Sequence, residues 1–108
     1  MKRLWRQRPF LETVFHATPT QRRHLLQHAN QDQINALSEL VLNLLRRRIP
    51  LTPPLMARLR RYKSLLREVG KRRHSTKRRR ALLLSQLGRG LWTGLKEACQ
   101  CVMPLRKL

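Results

Sequence analysis

The feature that most constrains the fold is a run of apolar residues at helical spacing within residues 31–48. Polar residues fall between them on the opposite side, so this segment is one amphipathic α-helix. Asn30 opens a capping pattern, and Asp32 places a negative charge at the positive helix start. We predict that this helix is central to the core. Its inward-facing residues are Ile34, Leu37, Leu40, Val41, Leu44 and Leu45.

Start and stop signals divide the rest of the chain into further short helices. Residues 18–21 form a capping-box pattern with proline in the first turn, and Thr52 stands before a second such proline. Apolar spacing predicts a continuous helix over 53–69, ended by Gly70 and packed on residues 31–48 through its leucines. Ser75 is the expected N-cap of another helix.

Because leucine is abundant and glycine scarce, we predict an all-α fold. It is a small bundle of about five short helices with a basic segment and an amphipathic C-terminal helix. A length of 108 residues suffices for one small domain. Its expected segments are a basic and apolar N-terminus (1–17), a helical core (18–70), a basic strip (71–80) and an amphipathic C-terminal segment (81–108).

The charge of the chain is extreme and unevenly distributed. Twenty-five Lys and Arg oppose five Asp and Glu, which gives a net charge of +20. Residues 46–80 hold fifteen of the cations and one acid, and the basic strip holds seven cations and no acid. Such a charge repels itself unless a polyanion or counter-ions neutralise it. Nucleic acid is the commonest biological partner for this excess, and an anionic membrane surface is the second.

We predict that the helix over 53–69 and the basic strip bind nucleic acid without reading its sequence. Phosphate binding requires a high density of charge, and arginine contacts phosphate bidentately. Duplex DNA is favoured over single strands because the one aromatic residue of the region, Tyr62, lies on the apolar face. The candidate nucleic-acid-binding residues are Arg58, Arg60, Arg61, Lys63, Arg67, Lys71, Arg72, Arg73, Lys77, Arg78, Arg79 and Arg80.

Other interpretations of these cations remain open at the level of sequence. The basic strip also matches a nuclear localisation signal or a solvated charged face. Arg46, Arg47 and Arg48 follow the end of a predicted helix, where cations stabilise the helix dipole, so capping and ligand binding are equally good assignments. The expected location is the nucleus or a virion.

The C-terminal segment supports a hypothesis of another class. Leu91, Trp92 and Leu95 lie on one face of the amphipathic stretch. Residues 81–103 could therefore contact an anionic membrane or a capsid protein, with the basic strip serving only for import. The alternative is that this face packs on the core of the same chain.

No pattern of catalysis is present in the sequence. The five acids are dispersed singly, and there is neither a phosphate-binding glycine loop nor a nucleophile elbow. His24 and His28 stand four residues apart, but no further ligand is near in sequence, and Cys99 with Cys101 does not match zinc-finger spacing. We predict a protein that is not an enzyme and that uses no cofactor or metal.

Several stretches resemble a family of small basic proteins encoded near Maverick/Polinton elements and the related adintoviruses. The stretches are 50–54 (PLTPP), 59–67 (LRRYKSLLR) and 71–84 (KRRHSTKRRRALLL), supported by 29–32 and 40–45. The resemblance covers roughly residues 15–95. It implies a DNA-condensing or virion-core-like accessory protein. The tail departs from the family, because Lys96, Glu97, Arg106 and Lys107 interrupt the apolar, glycine-rich end that the family carries.

Overall fold

A computed structural model describes residues 1–106, so the end of the predicted segment 81–108 lies outside the described residues. Within this range the secondary structure is helical and contains no strand, which confirms the all-α prediction. The number of helices is larger than the expected five. The described helices are α1 (Lys2–Arg6), α2 (Arg8–His16), α3 (Pro19–His28), α4 (Gln31–Leu45), α5 (Pro53–Arg60), α6 (Lys63–Val69), α7 (Thr76–Leu84) and α8 (Arg89–Gln100).

Helix α4 is central, and α1, α6, α7 and α8 all pack against it. Its N-terminus is closed by a reciprocal capping box, in which Asn30 Oδ1 accepts from the Gln33 backbone N–H at 2.8 Å and Gln33 Oε1 accepts from the Asn30 N–H at 2.9 Å. Five of the six apolar positions predicted to face inward are buried. The exception is Leu45, which is 38% exposed, because the helix ends there and its last turn extends beyond the core.

The predicted helix over 53–69 is in fact two helices, and this accounts for part of the error in number. The chain turns at Tyr62, whose backbone N–H donates to Leu59 O at 2.9 Å before α6 begins. The turn lets the two halves use different partners: α5 packs on α8, whereas α6 packs on α4. Helix α6 therefore makes the predicted contact with residues 31–48, and its buried residues are Leu66 and Val69.

Two glycines in α8 permit the close approach of α5. Gly90 and Gly94 are one helical turn apart, so both lie on the same face. A Cβ atom on Gly94 would lie 2.6 Å from Leu59 Cδ2, and one on Gly90 would overlap the Tyr62 hydroxyl. No side chain fits between the helices at these points. These two glycines therefore act as contact residues between α5 and α8.

The apolar face of α8 is part of the core. Leu91, Trp92 and Leu95 are at most 1% exposed. Trp92 Nε1 donates to Gln86 O at 2.6 Å, and the Arg22 guanidinium lies 5.0 Å from the centre of the indole ring. The face that could have met a membrane or a capsid is thus covered by the same chain. No helix among residues 1–106 has the length and hydropathy needed to cross a bilayer.

Candidate nucleic-acid interface

Within residues 1–106 every side-chain carboxylate is paired with a cation, and the one with the most partners is Asp32 in the first turn of α4. It accepts hydrogen bonds from Arg6 Nη2 at 2.7 Å, Arg3 Nε at 3.2 Å and Gln7 Nε2 at 2.5 Å. Hydrogen bonds from Arg6 and then Gln7 hold the pKa of the Asp32 carboxyl well below its usual range. These contacts fasten α1 to α4, so the N-terminal arginines serve the fold.

Two candidate nucleic-acid-binding residues also have carboxylate partners. Arg58 Nη1 lies 2.7 Å from Glu97 Oε1 and joins α5 to α8, and Lys71 Nζ lies 2.5 Å from Glu68 Oε2. The Lys71 hydrogen bond is the main cause of the lowered pKa of Glu68. A phosphate that binds either cation has to compete with the carboxylate already there. These two residues are therefore weaker candidates than the cations that have no such partner.

Two other arginines close the C-terminal ends of helices, where backbone carbonyls lack partners. Arg22 is 3% exposed and donates to the carbonyls of Val14, Phe15 and Ala17 at the end of α2, and to Leu87 O at 2.6 Å. Burial lowers the pKa of its guanidinium.

Arg80, a candidate nucleic-acid-binding residue, does the same for α3. Its Nε donates to Leu26 O at 3.1 Å, and its Nη2 donates to Ala29 O at 2.5 Å.

The consecutive cations of α7 consequently have different environments. Ser75 is the N-cap as predicted, because its Oγ accepts from the Arg78 backbone N–H at 3.1 Å. Successive helical residues point about 100° apart. Arg78 is exposed, Arg79 is half-buried, and Arg80 is turned toward α3. Helix α7 ends at Leu84, whereas the apolar pattern after Ser75 predicts a helix that continues to Leu87.

Arg79 lines a groove of about 550 Å³, which we call the arginine groove. It is bounded by α1, α4, α7 and the segments that follow α4 and α6. Burial, and then the nearby charge of Arg3, lower the pKa of Arg79. Glu39 is the one acid among the lining residues, and it lies 3.6 Å from the Arg3 guanidinium. The cations that line the groove are Arg3, Arg46, Arg48, Arg72 and Arg79.

The end of α4 explains how Arg46 and Arg48 both come to line the groove. Arg47 has a φ of 54°, in the left-handed region, and reverses the chain. The Arg48 N–H donates to Asn43 O at 3.0 Å and the Arg47 N–H to Leu44 O at 3.1 Å, which is the Schellman arrangement. Arg47 itself does not line the groove. Arg47 thus ends α4 through its backbone, whereas the side chains of Arg46 and Arg48 line the groove.

A second basic surface lies where α5 meets α8, and we call it the α5–α8 cleft. Its volume is about 480 Å³, and its cations are Arg58, Arg61 and Arg89. Tyr62 also lines it and is half-buried against the core. The remaining candidates line neither surface and lie among the exposed residues. They are Arg60, Lys63, Arg67, Arg73, Lys77 and Arg78.

The predicted nucleic-acid-binding residues therefore do not form a single surface. The structure brings Arg72 and Arg79 together with three arginines outside the predicted set, and it separates them from Arg58 and Arg61. Sequence reasoning missed Arg3 and Arg89, since no local pattern links either to residues 58–80. Among residues 1–106 no group of three or more His, Cys, Asp and Glu is placed to hold a metal ion.

No protein-family model, curated protein or solved structure matches the chain. The resemblance to Maverick- and adintovirus-associated proteins therefore stays a prediction.

Proposed function

We propose that this protein binds nucleic acid, and duplex DNA in particular, through phosphate contacts that do not depend on base sequence. The observation that carries the proposal is the arginine groove, together with the exposed cations that neighbour its lining residues in the sequence. Glu39, the one acid that lines the groove, is paired with Arg3, so Arg46, Arg48, Arg72 and Arg79 leave the groove positively charged. Neutralising phosphates there would release counter-ions and relieve the repulsion between the arginines.

The presence of two basic surfaces supports a DNA-condensing role. The arginine groove is built by α1, α4 and α7, whereas the α5–α8 cleft is built by two other helices. One molecule that presents two separate cationic surfaces can contact two duplex segments. A virion-core-like accessory protein of a virus-like mobile element, located in the nucleus or in the virion, needs this property.

Salt-titrated binding tests the proposal directly. If one surface contacts about four to six phosphates, log K should fall with log salt at a slope of about −4 to −5 on duplex DNA. AT-rich, GC-rich and mixed duplexes should bind alike, because phosphate contacts carry no sequence information. Single-stranded DNA and RNA are measured in parallel. A strong preference for one duplex sequence, or an affinity that does not change with salt, would contradict the proposal.

A pair of variants with equal charge tests the location of the interface. Arg46→Gln with Arg48→Gln removes two exposed cations from the arginine groove, and Arg23→Gln with Arg106→Gln removes two exposed cations that line neither basic surface. Both variants lower the net charge by two. We expect the first to flatten the salt slope by about two units and the second to change it little. Equal effects would show that net charge alone attracts the DNA.

A further inference from the structure

The interior of the arginine groove contains polar atoms that have no partner. Ser38 is 7% exposed, and its Oγ makes no hydrogen bond among residues 1–106. Asn35 Oδ1 and Arg79 Nε are likewise inaccessible to solvent and unpartnered within that range. All three residues line the groove. Ser38 Oγ and Arg79 Nε can donate hydrogen bonds, whereas Asn35 Oδ1 can only accept one. Because buried polar groups are nearly always hydrogen-bonded, the two unpartnered donors beside one groove indicate a place for a ligand with acceptor oxygens.

The charge of the groove identifies the chemical class of that ligand. Arg46, Arg48, Arg72 and Arg79 surround a volume of about 550 Å³ that is the size of a small-molecule site. A phosphodiester in a nucleic-acid backbone brings one negative charge to such a volume. A phosphate monoester or an oligophosphate brings two or more charges and several acceptor oxygens, which arginines bind bidentately.

We propose that the arginine groove is a discrete site for a phosphate monoester or oligophosphate group. The four arginines contact the phosphate oxygens, and the Ser38 hydroxyl donates to one of them. The group can belong to a free oligophosphate or to the terminal phosphate of a nucleic-acid strand, since both present the same chemistry. This goes beyond sequence-independent duplex binding, because the groove selects a compact phosphate group, which competes with a duplex for the same arginines.

Titration calorimetry with inorganic tripolyphosphate at 0.15 M salt, a concentration that screens diffuse attraction, tests the site. We expect saturable binding of one tripolyphosphate per chain and a higher midpoint of thermal unfolding in its presence. Arg48→Gln should weaken binding about tenfold or more, as expected for loss of a charge-assisted hydrogen bond. The control is Arg47→Gln, which has the same charge change at the adjacent residue but lies outside the groove. It should weaken binding less than about twofold.

Further measurements separate the possible sources of the phosphate and the possible failures. If a 5′-phosphorylated oligonucleotide binds more tightly than the 5′-hydroxyl strand and tripolyphosphate displaces it, the ligand is a strand end. If the two strands bind alike while tripolyphosphate still saturates the site, the ligand is a free oligophosphate. Absence of saturable binding, or equal losses for Arg47→Gln and Arg48→Gln, would overturn the proposal. Binding to closed circular DNA, which has no terminal phosphate, tests the duplex function independently.

Discussion

Replacement of Arg80 should destabilise the fold even though it lowers the positive charge of a chain that repels itself. The Arg80 guanidinium makes two hydrogen bonds to carbonyls at the end of α3, at 3.1 and 2.5 Å. A hydrogen bond from a charged donor contributes about 1.5–3 kcal/mol, and water can partly replace a half-buried donor. We therefore expect Arg80→Ala to lower the free energy of unfolding by about 2–3 kcal/mol. A change of charge alone would act in the opposite direction.

The assay is thermal unfolding followed by circular dichroism, with Arg78→Ala as the matched control. Arg78 is exposed and two residues away on the same helix. Because Arg78 is exposed, its replacement should change the free energy of unfolding by less than about 0.5 kcal/mol. Its cation stands at the positive end of α7, so its removal does not weaken the helix. For a domain of this length, the loss at Arg80 corresponds to a fall in the unfolding midpoint of roughly 10 °C.

Arg80→Lys separates hydrogen bonding from charge. Lysine retains the charge but has no planar fork that can donate to two carbonyls at once. We expect a midpoint between those of the wild type and Arg80→Ala. Below the unfolding transition, Arg78→Ala should flatten the salt slope of duplex binding by about one unit and Arg80→Ala should leave it nearly unchanged. If Arg80→Ala and Arg78→Ala unfold at the same temperature, the capping role is refuted.

Two further predictions concern the packing of α8 and the attachment of α1. Gly94→Val should lower the unfolding midpoint, because even a Cβ atom at this position would lie 2.6 Å from Leu59 Cδ2. The control Gly88→Ser should not lower it, because a Cβ atom there meets nothing within 4 Å. Equal midpoints of the two variants in calorimetry would contradict the close packing. The lowered pKa of Asp32 means that its contribution to stability is present above the usual carboxyl pKa of 3.8 and is lost as the pH falls below it. Asp32→Asn should therefore destabilise the protein at neutral pH, and the difference from the wild type should shrink in acid; a constant difference across the acid titration would argue against the ionised carboxylate as its source.

The sequence predicts those elements whose causes are local. The capping residues Thr18, Asn30 and Ser75 each accept from the expected backbone N–H, because a cap joins residues only three positions apart. The break at Tyr62 is not predictable in this way. The apolar spacing continues through it, and only the separate positions of α4 and α8 make two helices better than one. Arg47 is a similar case, since a left-handed C-terminal residue is usually glycine.

The arginine groove depends on tertiary structure to a greater degree. Its cations come from α1, the end of α4, the segment after α6 and the middle of α7, which are far apart in the chain. A count of charges along the sequence identifies residues 71–80 as basic but does not show which of them share a surface. The assignment of Arg80 to the interface illustrates this limit, because its hydrogen bonds to α3 span more than fifty residues.

The preference for arginine over lysine in this chain has one cause that does not concern a polyanion. The sequence contains nineteen arginines and six lysines. Arg22 donates to four backbone carbonyls and Arg80 donates to two. A lysine could not replace either residue, because its single ammonium group has three donors and no planar fork. Excess arginine is therefore partly a requirement of short helices whose C-terminal carbonyls are buried against their neighbours. For this reason the case for phosphate binding depends on where the cations lie. Arg46, Arg48 and Arg79 line a groove with unpartnered polar atoms, and for Arg79, which lies within α7, no capping role accounts for that placement.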